Sequence, residues 1–299
     1  MTDAAVALAY KHCEEITRTR ARNFYYGVRL LPRRQRFAMC ALYAMARRID
    51  DVGDDVYHAP GMPSSTDERL LALDGVRQSL ALLAKAVAGG PAALFPGDPV
   101  LMALADAAKR FPLPLEALDE LVEGCEWDIR GRAYDDFDEL VEYCRRVAGT
   151  VGRLSLAVYG SRDPERAPQL AEALGVALQL TNILRDLVED RDLMGRVYLP
   201  RADRERFGIG PRLDGDPEDL IALVCFETGR AAEWYQRGLP LLDLLDQRSR
   251  ACTATMAGIY RRLLDKIREC PERALGERAR LSTGEKLRVT ALALAGGTP

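Results

Sequence analysis

The chain has 299 residues, enough for one large core or two domains, and 48% of them are hydrophobic, as expected of a globular protein. A formal net charge of −3 argues against nucleic acid as the main partner, and two histidines leave no histidine-rich zinc site. Seven scattered cysteines with no CxxC pair fit reduced, mostly buried thiols in a cytoplasmic protein rather than a disulfide framework.

Alanine, leucine, arginine and glutamate dominate and β-branched residues are sparse, so most of the chain should be helix. The N-terminal stretch mixes acids and bases and lacks the apolar centre of a signal peptide. A first helix is predicted over 4–22. A second, opened by Pro32, is predicted over 33–55, with Phe37, Cys40, Ala41, Ala44 and Ile49 near helical spacing. The segment YHAPGMPSS reads as a loop. Helices follow over 66–88, 100–110 and 114–129, then a longer one over 136–160. After the breaker GSRDPERAPQL a long helix is predicted over 168–190, and RDLMGRVYLP reads as a loop that closes over something. Further helices are expected over 216–236, 238–247, 249–270 and 282–295. No run of 18 apolar residues suggests a membrane span, although an apolar substrate would allow peripheral contact with a membrane. With no repeat and no long linker, residues 1–299 read as one compact all-α domain.

Two segments carry the chemistry. In MARRIDDVGDD, Asp50 and Asp54 are four apart, as are Asp51 and Asp55, so each pair shares a helix face. In NILRDLVEDRD, Asn182, Asp186 and Asp190 fall at successive fours beside Glu189, while Ile183, Leu184 and Leu187 face the other way. Crowded carboxylates on a helix repel one another unless cations neutralise them. Magnesium takes oxygen ligands, keeps several waters and binds substrate phosphates through one or two carboxylates. Two such faces opposed across a bundle would hold two or three magnesium ions bridged by a diphosphate. Arg47 and Arg48 precede the first face and Arg185 lies within the second, which suits a polyanion or, equally, intrahelical ion pairs. A solvated acidic surface is the plainer alternative. A di-iron bundle is disfavoured because no ExxH motif occurs.

The stretch VAGTVG, residues 147–152, is starved of side chains inside a predicted helix. Either close helix packing or room for a bulky apolar ligand would account for it. Tyr143 lies just upstream, and Phe24 and Tyr43 are further aromatics able to steady a carbocation or simply to fill a core.

These stretches together resemble the squalene and phytoene synthase family of head-to-head prenyl transferases. The likeness runs through NFYYGVRLLPRRQRFAMCALYAMARRIDDVGDD, YCRRVAGTVG and ALQLTNILRDLVEDRDLMGRVYLP, and spans residues 8–290. The resemblance implies an isoprenoid-synthase-like helical bundle around a central cavity. It makes Asp50, Asp54, Asp186 and Asp190 metal ligands with Asn182 beside them, and Arg47 and Arg185 diphosphate contacts. It places Tyr143 near the cyclopropylcarbinyl intermediate, Phe24 and Tyr43 on the cavity lining, and Val147, Ala148, Val151 and Gly152 along the prenyl channel. Within the family, the wording NFYYG, CALYA and GRVYLP is most similar to the presqualene diphosphate synthases of bacterial hopanoid synthesis. That likeness implies condensation of two farnesyl diphosphates with magnesium and without NADPH. The alternatives are a squalene, dehydrosqualene or phytoene synthase on the same fold, and a non-catalytic assembly factor, which would be expected to lose motif aspartates that are intact here. Asn23 stands where many relatives carry serine, near the expected substrate-binding end.

Overall fold

The computed structural model describes residues 3–53, 65–89, 95, 97–276 and 278–297. Among them there is helix and no strand. The first half runs α1 (Asp3–Arg20), α2 (Arg22–Val28), α3 (Arg33–Gly53), α4 (Thr66–Val87), α5 (Pro99–Arg110), α6 (Glu116–Ile129) and α7 (Phe137–Cys144). A π turn, Arg145–Gly149, leads into α8 (Thr150–Tyr159), followed by α9 (Ala167–Arg185), α10 (Leu187–Leu193) and α11 (Arg201–Arg206). The chain closes with α12 (Pro217–Gly238), a 3₁₀ turn (Leu239–Leu244), α13 (Gln247–Glu269), α14 (Pro271–Ala274) and α15 (Thr283–Leu294).

Local sequence explains where six of the helices start. Ser65 and Glu68 form a capping box on α4, and Ser282 and Glu285 repeat it on α15. Asp98, Asp136, Asp216 and Asp246 each accept first-turn amides at the starts of α5, α7, α12 and α13. Each such cap is worth about 1 kcal/mol. Asp98 does double duty, because its carboxylate also receives both terminal nitrogens of Arg48 at 2.7 and 2.8 Å. That pair pins α5 to α3.

Two helices form the frame. The buried face of α3 is built from Ala38, Met39, Ala41, Leu42, Met45 and Ile49, and packs on α1, α5 and α6. The face of α9 is richer in small residues and packs on α8, α12 and α13. Each frame helix ends in one of the acidic segments.

Two expectations need correction, and α2 was not foreseen. The helix expected over 136–160 is interrupted by the π turn, where the Thr150 amide reaches back five residues to the Arg145 carbonyl. The helix expected over 168–190 breaks at Asp186, whose backbone leaves helical geometry (φ −103°, ψ 10°) and starts α10. The aromatic segment NFYYGV forms the short α2, which lies against α13. Its aromatics are weak helix formers, so packing rather than propensity makes that turn. The stretch 54–64, with Asp54 and Asp55, lies outside the described residues.

Candidate active site

A cavity of about 350 Å³ opens between α3, α6, the α7–α8 run, α9 and α13. Ten residues singled out from sequence line it. Phe24 comes from α2; Tyr43, Arg47 and Asp50 from α3; Tyr143 from α7; Val147 and Ala148 from the π turn; Val151 and Gly152 from α8; and Asn182 from α9. Leu121, Leu154, Leu174, Leu178 and Met256 complete largely apolar walls. The rings of Phe24 and Tyr43 stack with centroids 5.6 Å apart, and burial pushes the Tyr43 phenol up to about 12.

The small-residue stretch serves both purposes left open by the sequence. A methyl group on Gly152 would run into the Ala171 carbonyl, and one on Gly175 into the Ala148 carbonyl, so α8 and α9 meet backbone to backbone. The same run presents Val147, Ala148 and Val151 to the cavity. Close packing sets the wall, and the wall leaves room beside it.

Tyr143 is fully sequestered, with 2% of its surface exposed. Its hydroxyl donates to Asp128 Oδ2 at 2.8 Å and contacts the Tyr198 hydroxyl at 3.4 Å, while Tyr198 donates to Asp128 Oδ1 at 3.0 Å. Tyr134 packs against both rings. Burial first, then the Asp128 charge, holds the Tyr143 phenol well above its usual range, so it stays a neutral donor.

At the end of α3, Arg47 bonds Asp50 at 2.9 Å and Asp51 at 2.5 Å. Arg48 does not face the cavity acids and is committed to Asp98. In the second segment, Asp186 is gripped by Arg185 at 2.8 and 2.5 Å and by Arg278 at 2.7 and 3.1 Å. Arg278 also reaches Glu189 at 3.1 Å. Asp190 is pushed up to about 7, by desolvation first and then by Asp186, against which Arg196 is the main opposing charge. Arg196 in turn donates to the Gly53 carbonyl at 2.6 Å, so one guanidinium joins the end of α3 to the second acidic segment.

Asp186, Asp190 and Arg185 therefore stand outside the residues that line the cavity, while Asp50 and Asn182 are among them. Among the described residues, no three carboxylate, histidine or cysteine side chains form a metal cage by themselves. The donor set nevertheless fits magnesium shared with a phosphate ligand. The Asn182 carbonyl oxygen is buried without a hydrogen-bond partner, and Asp190 is a carboxylate crowded by other carboxylates. Magnesium needs only one or two such protein ligands when phosphates and water supply the rest.

Sequence reasoning missed Asp128, Tyr198, Tyr260, Arg196 and Arg278. Tyr198 and Arg196 lie in the stretch GRVYLP, which the sequence marked as a closing loop. Asp128 and Arg278 sit in segments with no pattern of their own, and only the fold brings them in.

A family model described as squalene/phytoene synthase matches residues 17–285. The chain is 47% identical to a phytoene synthase of Mycobacterium tuberculosis, over 96% of this chain and 91% of that one. A presqualene diphosphate synthase of Zymomonas mobilis is 38% identical over 69% of this chain and 68% of its own length. A crystal structure of a dehydrosqualene synthase in complex with ligand superposes with a TM-score of 0.82 at 28% identity, covering 97% of both chains. These likenesses correct the expectation of a presqualene diphosphate synthase. The words that suggested it contribute Phe24 and Tyr43 to the cavity and Tyr198 to the Asp128 cluster.

Proposed function

Because the chain belongs to the squalene/phytoene synthase family, we propose that it is a phytoene-type synthase. In this reading it joins two geranylgeranyl diphosphates head to head to a C40 hydrocarbon, with release of two diphosphates and two protons. The family establishes a magnesium-dependent prenyl transferase acting on prenyl diphosphates. The observation that carries the finer reading is the 47% identity to a phytoene synthase along nearly the whole chain. No hydride enters that balance, so no NADPH is required.

The site residues have distinct parts in this proposal. Asp50, Asn182, Asp186 and Asp190, with Asp54 by resemblance, would hold magnesium. When bound, the metal supplies positive charge to the diphosphate as its C–O bond breaks. Arg47, Arg185 and Arg278 would take diphosphate oxygens, exchanging their present carboxylate partners for phosphate. The apolar walls keep water from the allylic cation, and the Phe24 and Tyr43 faces would steady it. The Tyr143 proton is committed to Asp128, which leaves its oxygen as an acceptor toward the cavity it lines. The Asp128 charge behind it would stabilise the later cyclopropylcarbinyl cation.

The deciding experiment supplies the purified protein with magnesium and either geranylgeranyl or farnesyl diphosphate, without reductant, and identifies products by mass spectrometry. Phytoene from the C20 substrate is the expected result. A clear preference for the C15 substrate, or accumulation of a cyclopropyl diphosphate, would overturn the assignment while leaving the family intact.

A further inference from the structure

A second cavity, of about 440 Å³, lies across Asp128 from the first, and Asp128 lines both. Among the described residues its wall carries six arginines, Arg69, Arg132, Arg191, Arg196, Arg204 and Arg212, and one carboxylate, that of Asp128. Three are already engaged. Arg69 and Arg196 donate to carbonyls at the end of α3, and Arg191 pairs with Asp192. The other three have no carboxylate within ion-pair distance among the described residues. Arg132 lies flat over the Trp127 ring, 3.9 Å from its centroid, and Arg212 stands exposed at the rim. Arg204 is the telling one. It is only 8% exposed, yet among the described residues its sole hydrogen bond runs from Nε to the Leu199 carbonyl at 3.2 Å. Burial depresses its pKa, and the neighbouring Arg201 charge adds to that.

The Arg204 terminal nitrogens take no protein acceptor among the described residues, which leaves its fork available to an anion in the cavity that it lines. Arginine forks match phosphate oxygens two at a time, and three unpaired forks around one cavity exceed what a single small anion can satisfy. We propose that this cavity is a binding site for a diphosphate-class oxyanion, separate from the prenyl cavity. Its shape and charge do not depend on which hydrocarbon the enzyme makes. Diphosphate released by the reaction and diphosphate in solution share this chemistry.

Calorimetric titration of inorganic diphosphate into the whole protein tests the proposal, with excess EDTA to remove metal-dependent binding and ionic strength held constant with chloride. One site is expected on the wild type. Arg132→Ala/Arg212→Ala should weaken it at least tenfold, and Arg47→Gln, in the prenyl cavity, should leave it unchanged. Arg204→Met should also weaken it, and the rim double variant serves if that buried change prevents folding. No binding to the wild type, equal binding by the double variant, or an equal loss in Arg47→Gln would overturn the site. A single-turnover assay then separates the sources. Slower diphosphate release by the double variant assigns the bound anion to the reaction, and unchanged release assigns it to solution, either result supporting the site.

Discussion

At the end of α3, Asp50 is half exposed and shares Arg47 with Asp51, whereas the segment after α9 buries Asp186 between two arginines and leaves Asp190 facing other carboxylates. The first acidic face carries its own counter-charge on the same helix. The second concentrates negative charge in a poorly solvated place, where Arg185 is taken up by Asp186 and the rest of the counter-charge comes from a distant part of the chain, Arg278, and the loop residue Arg196. The difference teaches that two similar sequence motifs need not rest in similar electrostatic states. The second is the one that gains most from added cations.

The largest expected effect is on turnover. Asp186→Asn and Asp190→Asn should each lower kcat by about 10²–10³-fold, the scale of losing one charge-stabilising group, with the helical circular dichroism unchanged. Excess chelator should abolish activity and magnesium restore it. Full turnover in chelator would break the comparison at its root.

A smaller effect separates the two faces directly. Without magnesium at pH 8, Asp190→Asn should stabilise the fold by about 2 kcal/mol, while Asp50→Asn, which loses a half-exposed ion pair with Arg47, should change it by less than about 1 kcal/mol. The sign follows from the raised pKa of Asp190. Its favourable contribution is full below the normal carboxylate range and is lost as pH rises through about 7. Urea midpoints for the two variants check this, and equal shifts would count against an uncompensated second face.

Asp128 adds a third carboxylate near Asp190, held by the Tyr143 and Tyr198 hydroxyls. Tyr143→Phe removes one of those bonds and should slow the step after ionisation by about 10-fold, or about 1.4 kcal/mol. Single-turnover kinetics should show diphosphate affinity nearly unchanged. A change confined to KM would leave the hydroxyl without a chemical role.

The smallest effect lies away from the cavity. Glu227 is 3% exposed, bonded to Arg230 and close to Asp203, and burial raises it to about 7. Its stabilising contribution is complete below pH 4.5 and is lost as pH rises through 7. Glu227→Gln should therefore flatten the fall in stability between pH 5 and 8 by about 1 kcal/mol. An unchanged profile would show that carboxylate crowding there is neutralised by Arg230.

The long helices and the two acidic ends were legible in helical period and short-range spacing, whereas the place of ten of the cavity residues was what the family resemblance implied. What was not legible depends on contacts between distant segments. Arg48 reads like Arg47 in sequence, and only its encounter with Asp98, fifty residues on, removes it from the site. Asp186 sits in a run that keeps helical period through its own break, because Leu184 and Leu187 remain buried on either side of the kink. The presqualene diphosphate synthase expectation rested on the short words NFYYG, CALYA and GRVYLP, and the 47% identity to a phytoene synthase along nearly the whole chain overturns it.

The π turn at Arg145–Gly149 has a consequence for insertions and deletions. Such a turn holds one residue more than an α-helical turn, and each residue advances an α-helix by about 100°. A π turn is wider and absorbs its extra residue locally, so deleting a single position there would let the run close as continuous α-helix with Val151 and Gly152 in nearly the same phase relative to Tyr143. Length variation at that point would be felt in the turn itself, where Val147 and Ala148 line the cavity, while the chemical end and the channel end of this rod stay aligned.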